Sequence, residues 1–227
     1  MKISLPFTKK NIIKLVLYMK NNNRIKKTKN WIKKHLKDKY VKLAHKNKLR
    51  ARSWFKLDEI NRKEKLIKSK MTVIDLGCSP GSWSEYIAKK VNVKKSQIIA
   101  CDMLYMKPIH GVDFIQGDFK KKNIYKLIKL KLKKKANLII SDALPNLTGC
   151  KIIDNNKISS LLFSIFKIAN HNLCKRGNIL IKAFNNEELN IFLKKIKNSF
   201  FQIKIKKPKS SRSTSSEVYI IALGFKI

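Results

Sequence analysis

Apolar positions recur first at helical spacing and then in short blocks. From Thr28 to Lys48, Trp31, Leu36, Tyr40 and Leu43 stand on a lysine-rich background, which predicts an amphipathic helix. A second helix is predicted from Ser53, an N-cap candidate, through Trp54, Leu57, Ile60 and Leu66. Strand and helix patterns then alternate. Strand Thr72 to Leu76 precedes helix Trp83 to Val91; strands Gln97 to Cys101 and Val112 to Gln116 precede a helix over 122–134. Strand Asn137 to Ser141 leads through a turn-rich loop (143–156) into helix Ile158 to Leu173, then strand Asn178 to Phe184 and helix Glu187 to Asn198. The chain closes with strands Phe201 to Lys206 and Glu217 to Phe225, joined by the loop 207–216. Such alternation predicts an α/β fold with a mostly parallel sheet, helices on both faces and, from the closing pair, an antiparallel edge strand. There is no internal repeat.

Residues 1–27 read as a basic, weakly ordered extension, and 28–227 as a single domain whose first helices occupy 28–68. The segment 1–18 has no cap or strand signal. It is expected to be dispensable, with Met19 as a candidate start.

The segment from Val73 to Ser84, Val-Ile-Asp-Leu-Gly-Cys-Ser-Pro-Gly-Ser-Trp-Ser, carries the strongest chemical signal. An apolar strand meets a glycine-containing turn and then a new helix. Gly77 and Gly81 are expected to let backbone approach a ligand where a Cβ would collide. Their spacing is not the G-x-G-x-x-G of a dinucleotide site. It suits a ligand with an adenosine and an amino-acid moiety, for which S-adenosylmethionine is the candidate.

Charge adds a second partner. Lysine and arginine number 53 against 14 acids, a net +39 that attracts polyanions, with nucleic acid the natural class. Lysine, asparagine and isoleucine are all over-used, as A+T-biased codons would produce, so the six arginines say more than the lysines. Of these, Arg50, Arg52 and Arg212 flank the motifs below and are the RNA-binding candidates. The four cysteines show neither C-x-x-C nor metal-ligand spacing with the four histidines, so no metal is expected and the thiols fit a reducing cytoplasm. No apolar run nears the roughly 20 residues of a bilayer span, and no signal peptide is recognisable.

Asp75, Asp102, Asp118 and Asp142 fall at predicted strand ends, where ligands of such sheets bind. Asp102 stands where a ribose-binding acid belongs, and Asp118 could meet an adenine amino group. Lys182 is flanked by apolar residues in a predicted central strand, where an ammonium is costly unless paired or used. Lys56 lies in Arg50-Ala-Arg-Ser-Trp-Phe-Lys, and Glu217 opens the last strand after a serine-rich loop.

These motifs, with Gly-Val-Asp-Phe-Ile-Gln-Gly-Asp-Phe, Ser-Asp-Ala-Leu-Pro-Asn and Lys-Pro-Lys-Ser-Ser-Arg-Ser followed by Glu-Val-Tyr, resemble the FtsJ-type ribosomal RNA 2′-O-ribose methyltransferase family. The likeness is to its large-subunit (23S rRNA) uridine branch and runs from about Trp31 to Phe225. The resemblance implies a Rossmann-like S-adenosylmethionine-dependent methyltransferase fold and a catalytic tetrad at Lys56, Asp142, Lys182 and Glu217. It implies cofactor contacts at Gly81, Trp83, Asp102, Asp118 and Asp142. The implied partner is 23S ribosomal RNA in the large ribosomal subunit, with the enzyme a cytoplasmic monomer. Cys78, Ser82, Leu144 and Asn185-Asn186 depart from the family pattern.

A ribose 2′-hydroxyl must lose its proton to become a good nucleophile, so Lys182 is expected to act as base with a depressed pKa, pushed down by burial and by the Lys56 ammonium. The competing readings are a non-catalytic RNA-binding assembly factor and a 2′-O-methyltransferase acting on transfer RNA or another RNA. Base methylation is disfavoured because Ser-Asp-Ala-Leu-Pro-Asn offers neither an Asn/Asp-Pro-Pro-aromatic motif nor a nucleophilic cysteine.

Overall fold

The computed structural model describes residues 37–226. The chain divides into two compact units, 1–48 and 49–227. In the first, the described part is helix α1 (Lys39–Lys46), capped by Asp38, whose carboxylate accepts the Tyr40 N–H at 3.0 Å. The rest of the helix expected over Thr28 to Lys48, and the 1–27 extension, lie outside the described residues.

The second unit begins with helix α2 (Ser53–Glu64). The sheet follows in alternation: β1 (Thr72–Leu76), α3 (Ser82–Lys90), β2 (Gln97–Asp102), β3 (Asp113–Gln116), α4 (Lys122–Lys131) and β4 (Ala136–Ser141). Then come α5 (Lys151–Asn172), β5 (Leu173–Phe184), α6 (Glu187–Ile196), β6 (Phe200–Lys206) and β7 (Glu217–Phe225). The seven strands lie in the order β3-β2-β1-β4-β5-β7-β6. β1 to β5 pair in parallel, and β7 runs antiparallel to both β5 and β6. The expected antiparallel edge is therefore the β7–β6 pair, with β6 outermost.

Parallel strands covered on both faces read as continuous apolar runs because alternate residues enter different cores. In β1, Val73 joins the cluster under α2 and α3, with Leu57, Ile60, Trp83 and Ile87. Its neighbour Ile74 joins the opposite cluster with Ile128 of α4, Leu162 of α5 and Phe192 of α6. Burying each such Ile or Leu contributes about 1.5–3 kcal/mol, so both cores hold the edge of the sheet in place. No helix among the described residues is long and apolar enough to cross a membrane.

Several boundaries differ from the sequence reading, and three are instructive. Ser53 is the first helical residue of α2 and not its cap. The turn is closed by backbone bonds, Trp54 N–H to the Ala51 carbonyl and Phe55 N–H to that of Arg52. α5 begins at Lys151, seven residues before the expected Ile158. The sequence predicts a turn-rich loop over 143–156, but Asp154 folds back from the first turn and accepts from Thr148 N–H and Oγ1 and from Gly149 N–H. β5 starts at Leu173, with a register shift between Ala136 and Leu138 on its partner strand.

Candidate active site

The carboxyl ends of β3, β2, β1 and β4 carry, in spatial order, Asp118, Asp102, the Gly77–Gly81 turn and Asp142. Three strand spacings separate the first from the last, about 14 Å. This row suits an extended ligand with a base at one end and an amino-acid tail at the other. Asp102 accepts the Ser79 and Leu104 N–H groups, each at 2.8 Å, and so ties the turn to the β2 end. Directly after it, Met103, Leu104 and Tyr105 are exposed, an apolar stretch beside a carboxylate where a nucleoside base could lie. Asp118 accepts Lys120 N–H at 3.0 Å. These carboxylate acceptors and apolar groups fit S-adenosylmethionine.

Asp75 differs from the other three. It lies inside β1, 1% exposed, and accepts the Ser84 hydroxyl at 2.6 Å, so it joins strand to helix and faces no ligand. Burial, partly offset by the Ser84 hydrogen bond, pushes its carboxyl up to about 7.

The glycines also serve the protein's own packing. Gly77 has φ +74° and Gly81 φ +100°, conformations that favour glycine. A Cβ on Gly77 would meet the Ala143 Cβ at 2.4 Å, and one on Gly81 the Met106 sulfur at 2.6 Å. They permit close approach of other loops of the protein, which packs the turn against the ends of β4 and β2.

The tetrad residues converge. Lys182 pairs across the ladder with Tyr219, and Phe184 with Glu217, so the side chains of Lys182, Tyr219 and Glu217 share one face. α2 lies over that face and carries Lys56. Glu217 holds Lys56 Nζ at 2.6 Å through Oε1 and Lys182 Nζ at 3.1 Å through Oε2. Asp142 Oδ1 lies 3.4 Å from Lys182 Nζ and accepts the Tyr219 hydroxyl at 2.8 Å.

Burial raises Glu217, but the Lys56 and Lys182 ammoniums outweigh it and bring the carboxyl down to about 2. Lys182 overturns one expectation. Burial does lower its pKa, yet Asp142 and Glu217 outweigh burial and hold it above the ordinary lysine value. Two carboxylates within ion-pair distance stabilise the ammonium more than Lys56 opposes it.

The Arg50-Ala-Arg-Ser motif and the Pro80-Gly-Ser-Trp motif prove to be partners. Arg50 donates from Nη1 to the Pro80 and Lys107 carbonyls at 3.1 and 2.8 Å, and from Nη2 to Pro108 at 2.9 Å. The Ser82 hydroxyl donates to the Ala51 carbonyl at 3.0 Å, and the Trp83 indole N–H to that of Ser53 at 2.9 Å. Trp83 is 2% exposed and its ring lies 5.8 Å from that of Tyr219, so it packs beneath the turn instead of opening onto it. The three arginines expected to bind RNA are thus not alike. Arg50 clamps two loops of the cofactor edge; Arg52 donates to the Ser210 carbonyl; Arg212 lies in the same β6–β7 loop as Ser210.

Sequence reasoning missed three participants. Tyr219, fully buried, bridges β7 to Asp142; Ser211 donates to Glu217 Oε1 at 2.7 Å; Glu59 accepts from the backbone of Lys209 and Ser210. Tyr219 and Glu217 two residues apart on a strand was the one available signal.

Comparison with known proteins agrees with this geometry. Residues 49–225 match the FtsJ-like methyltransferase family. The chain is 49% identical over 193 residues to the ribosomal RNA large subunit methyltransferase E of Buchnera aphidicola subsp. Schizaphis graminum, covering 85% of this chain and 93% of that protein. It is 47% identical to the protein of the same name from Wigglesworthia glossinidia brevipalpis, covering 87% and 96%. The crystal structure of a ribosomal RNA methyltransferase from Plasmodium falciparum superposes with a TM-score of 0.68 at 31% identity, covering 78% of this chain and 98% of that one. With a buried lysine–carboxylate set at the carboxyl edge of a Rossmann-like sheet and a match that spans that whole sheet, the chain belongs to the FtsJ-like, S-adenosylmethionine-dependent methyltransferases.

Proposed function

We propose that this protein methylates the ribose 2′-hydroxyl of a uridine in 23S ribosomal RNA, with the assembled large ribosomal subunit as substrate. The observation that carries the reading is the Lys56–Glu217–Lys182–Asp142 array at the sheet edge, beside a turn suited to the methyl donor. The names borne by the Buchnera and Wigglesworthia relatives support the choice of RNA. The enzyme acts as a monomer in the cytoplasm, where that RNA is assembled.

In this reading the chain's own residues do the alignment and the proton handling. When bound, S-adenosylmethionine supplies an activated methyl on a sulfonium, whose positive charge also opposes that of the Lys182 ammonium. Lys182, once neutral, accepts the 2′-hydroxyl proton at Nζ, and Asp142 and Glu217 stabilise the ammonium that forms. Glu217 keeps Lys56 in place, and Lys56 directs its remaining N–H donors toward the ribose. General-base assistance of this kind is worth about 10²–10⁴-fold, and alignment adds to it. Gly81, Asp102 and Asp118 contact the donor, with Trp83 supporting the turn. Helix α2, Arg52 and Arg212 meet the RNA.

Mapping 2′-O-methyl groups in ribosomal RNA from cells with and without the gene tests the assignment. One uridine methyl should vanish with the gene and return with the wild-type protein but not with Lys182→Ala. An unchanged methylation map overturns it.

A further inference from the structure

The catalytic groups occupy one end of the sheet. The loops that feed the strands lie at the other end, and hydrogen bonds join them into one surface. Asn92 N–H and Ser96 Oγ donate to the Ser69 carbonyl at 2.8 and 3.0 Å. Gln97 donates from Nε2 to the Lys131 carbonyl at 2.7 Å and accepts the Lys133 N–H at Oε1, at 3.0 Å. Asn137 Nδ2 donates to Cys174 Sγ at 3.4 Å.

This surface is strongly basic, although Asp113, exposed at the start of β3, lies at the same end. Lys95, the Lys133-Lys134-Lys135 run, Lys175 and Arg176 are all exposed, and none takes part in an ion pair among the described residues. No Asp or Glu occurs in the segments 65–71, 91–96, 132–135 or 173–177, whereas Asp102, Asp118, Asp142 and Glu217 all sit at the catalytic end. A lysine in the last turn of a helix is accounted for by the helix dipole. These residues stand beyond the last turns, where close like charges repel and cost stability.

Arg176 adds an independent observation. It is exposed with φ +62°, a left-handed conformation that non-glycine residues rarely adopt. One of the chain's six arginines thus stands in the irregular start of β5, where the register with β4 shifts and glycine or asparagine would adopt the backbone more easily.

We propose that this end of the sheet is a second RNA contact, which grips the phosphate backbone of a folded RNA segment distant from the methylated nucleotide. The six residues of β4 separate it from Asp142 by about 20 Å. Only a large, folded RNA that bends around the domain reaches both ends; a short single strand at the active site does not. Lysines supply point charges, so the contact is independent of sequence and sensitive to salt. The inference rests on the reading of RNA as substrate.

The test compares wild type, the triple variant Lys133→Gln/Lys134→Gln/Lys135→Gln, and Arg176→Gly, which relieves the left-handed residue and so preserves folding. Each is titrated across a salt series with purified large ribosomal subunits lacking the modification and with a short single-stranded RNA carrying the target uridine. With subunits, the triple variant should lower the slope of log association constant against log salt by about 2–3, and Arg176→Gly by about 1. Binding of the short RNA and of S-adenosylmethionine should stay as in wild type, and Arg176→Gly should melt no lower than wild type. Unchanged slopes with subunits overturn the second contact while wild-type methylation still supports the substrate reading. Equal losses on the short RNA overturn it as well, since they indicate a diffuse field. Loss of binding to vesicles of anionic lipid, with subunit binding intact, would assign the surface to a membrane instead. Absence of methylation of either RNA by wild type overturns the substrate reading itself.

Discussion

Lys56 and Glu217 stand 2.6 Å apart, each almost wholly buried, and the second oxygen of the same carboxylate holds Lys182 at 3.1 Å. One carboxylate thus sets the spacing of two ammoniums that would otherwise repel. Ser211, at 2.7 Å from the oxygen that Lys56 uses, fixes its rotation. Removing either lysine leaves Glu217 with half its countercharge.

Lys182→Ala should reduce single-turnover methylation by at least about 10²-fold. Affinity for S-adenosylmethionine, measured by calorimetry, should stay within a few-fold, because Lys182 on β5 lies beyond Asp142 from the Gly77–Gly81 turn. Full activity of the variant would remove Lys182 from the role of base.

The pH dependence follows from the two carboxylates at Lys182. They hold its pKa above the ordinary lysine value, so the neutral base is scarce near neutrality and kcat/KM should rise steadily with pH into the alkaline range. Glu217→Gln removes one stabilising charge and should move that rise toward lower pH while lowering the maximum, since Lys56 loses its partner. A profile that stays in place in the variant would show that Glu217 does not tune Lys182.

Asp75 makes stability depend on pH in the opposite sense from a paired carboxylate. Its folded value of about 7 lies above the unfolded 3.8. Its contribution is full below the unfolded value and is lost as pH rises through 7, by up to about 4 kcal/mol from the linkage of 1.36 kcal/mol per unit. Glu217, lowered from 4.5 to about 2, acts the other way but only below its unfolded value. Denaturant unfolding between pH 5 and 8 should therefore show falling stability in wild type and a flatter profile in Asp75→Asn.

Arg50 predicts an effect on the donor. Its guanidinium joins the turn at Pro80 to the Lys107–Pro108 loop, and hydrogen bonds from a charged group are worth about 1.5–3 kcal/mol. Arg50→Ala should weaken S-adenosylmethionine binding by about tenfold or more in the absence of RNA. Arg50→Lys should restore little, because a single ammonium lacks the planar fork that reaches three carbonyls. Donor affinity unchanged in both variants would return Arg50 to an RNA-facing role.

The strands β1 and β7 and the start of α3 were legible from the sequence to within a residue, because apolar periodicity and turn residues act over a few neighbours. Lys182 was legible for the same local reason: a lysine inside an apolar strand needs a partner. What the sequence could not determine depends on partners far along the chain. Arg50 meets a turn 30 residues away, Tyr219 meets Asp142 across 77, and Arg52 meets Ser210 across 158. The protonation of Lys182 likewise follows from which carboxylates the fold brings within 3.4 Å, and that outcome reversed the expectation based on burial and Lys56. Local periodicity specified the elements; only their packing decided which charges meet, because Coulomb and hydrogen-bond energies depend on distance in space and not on separation in sequence.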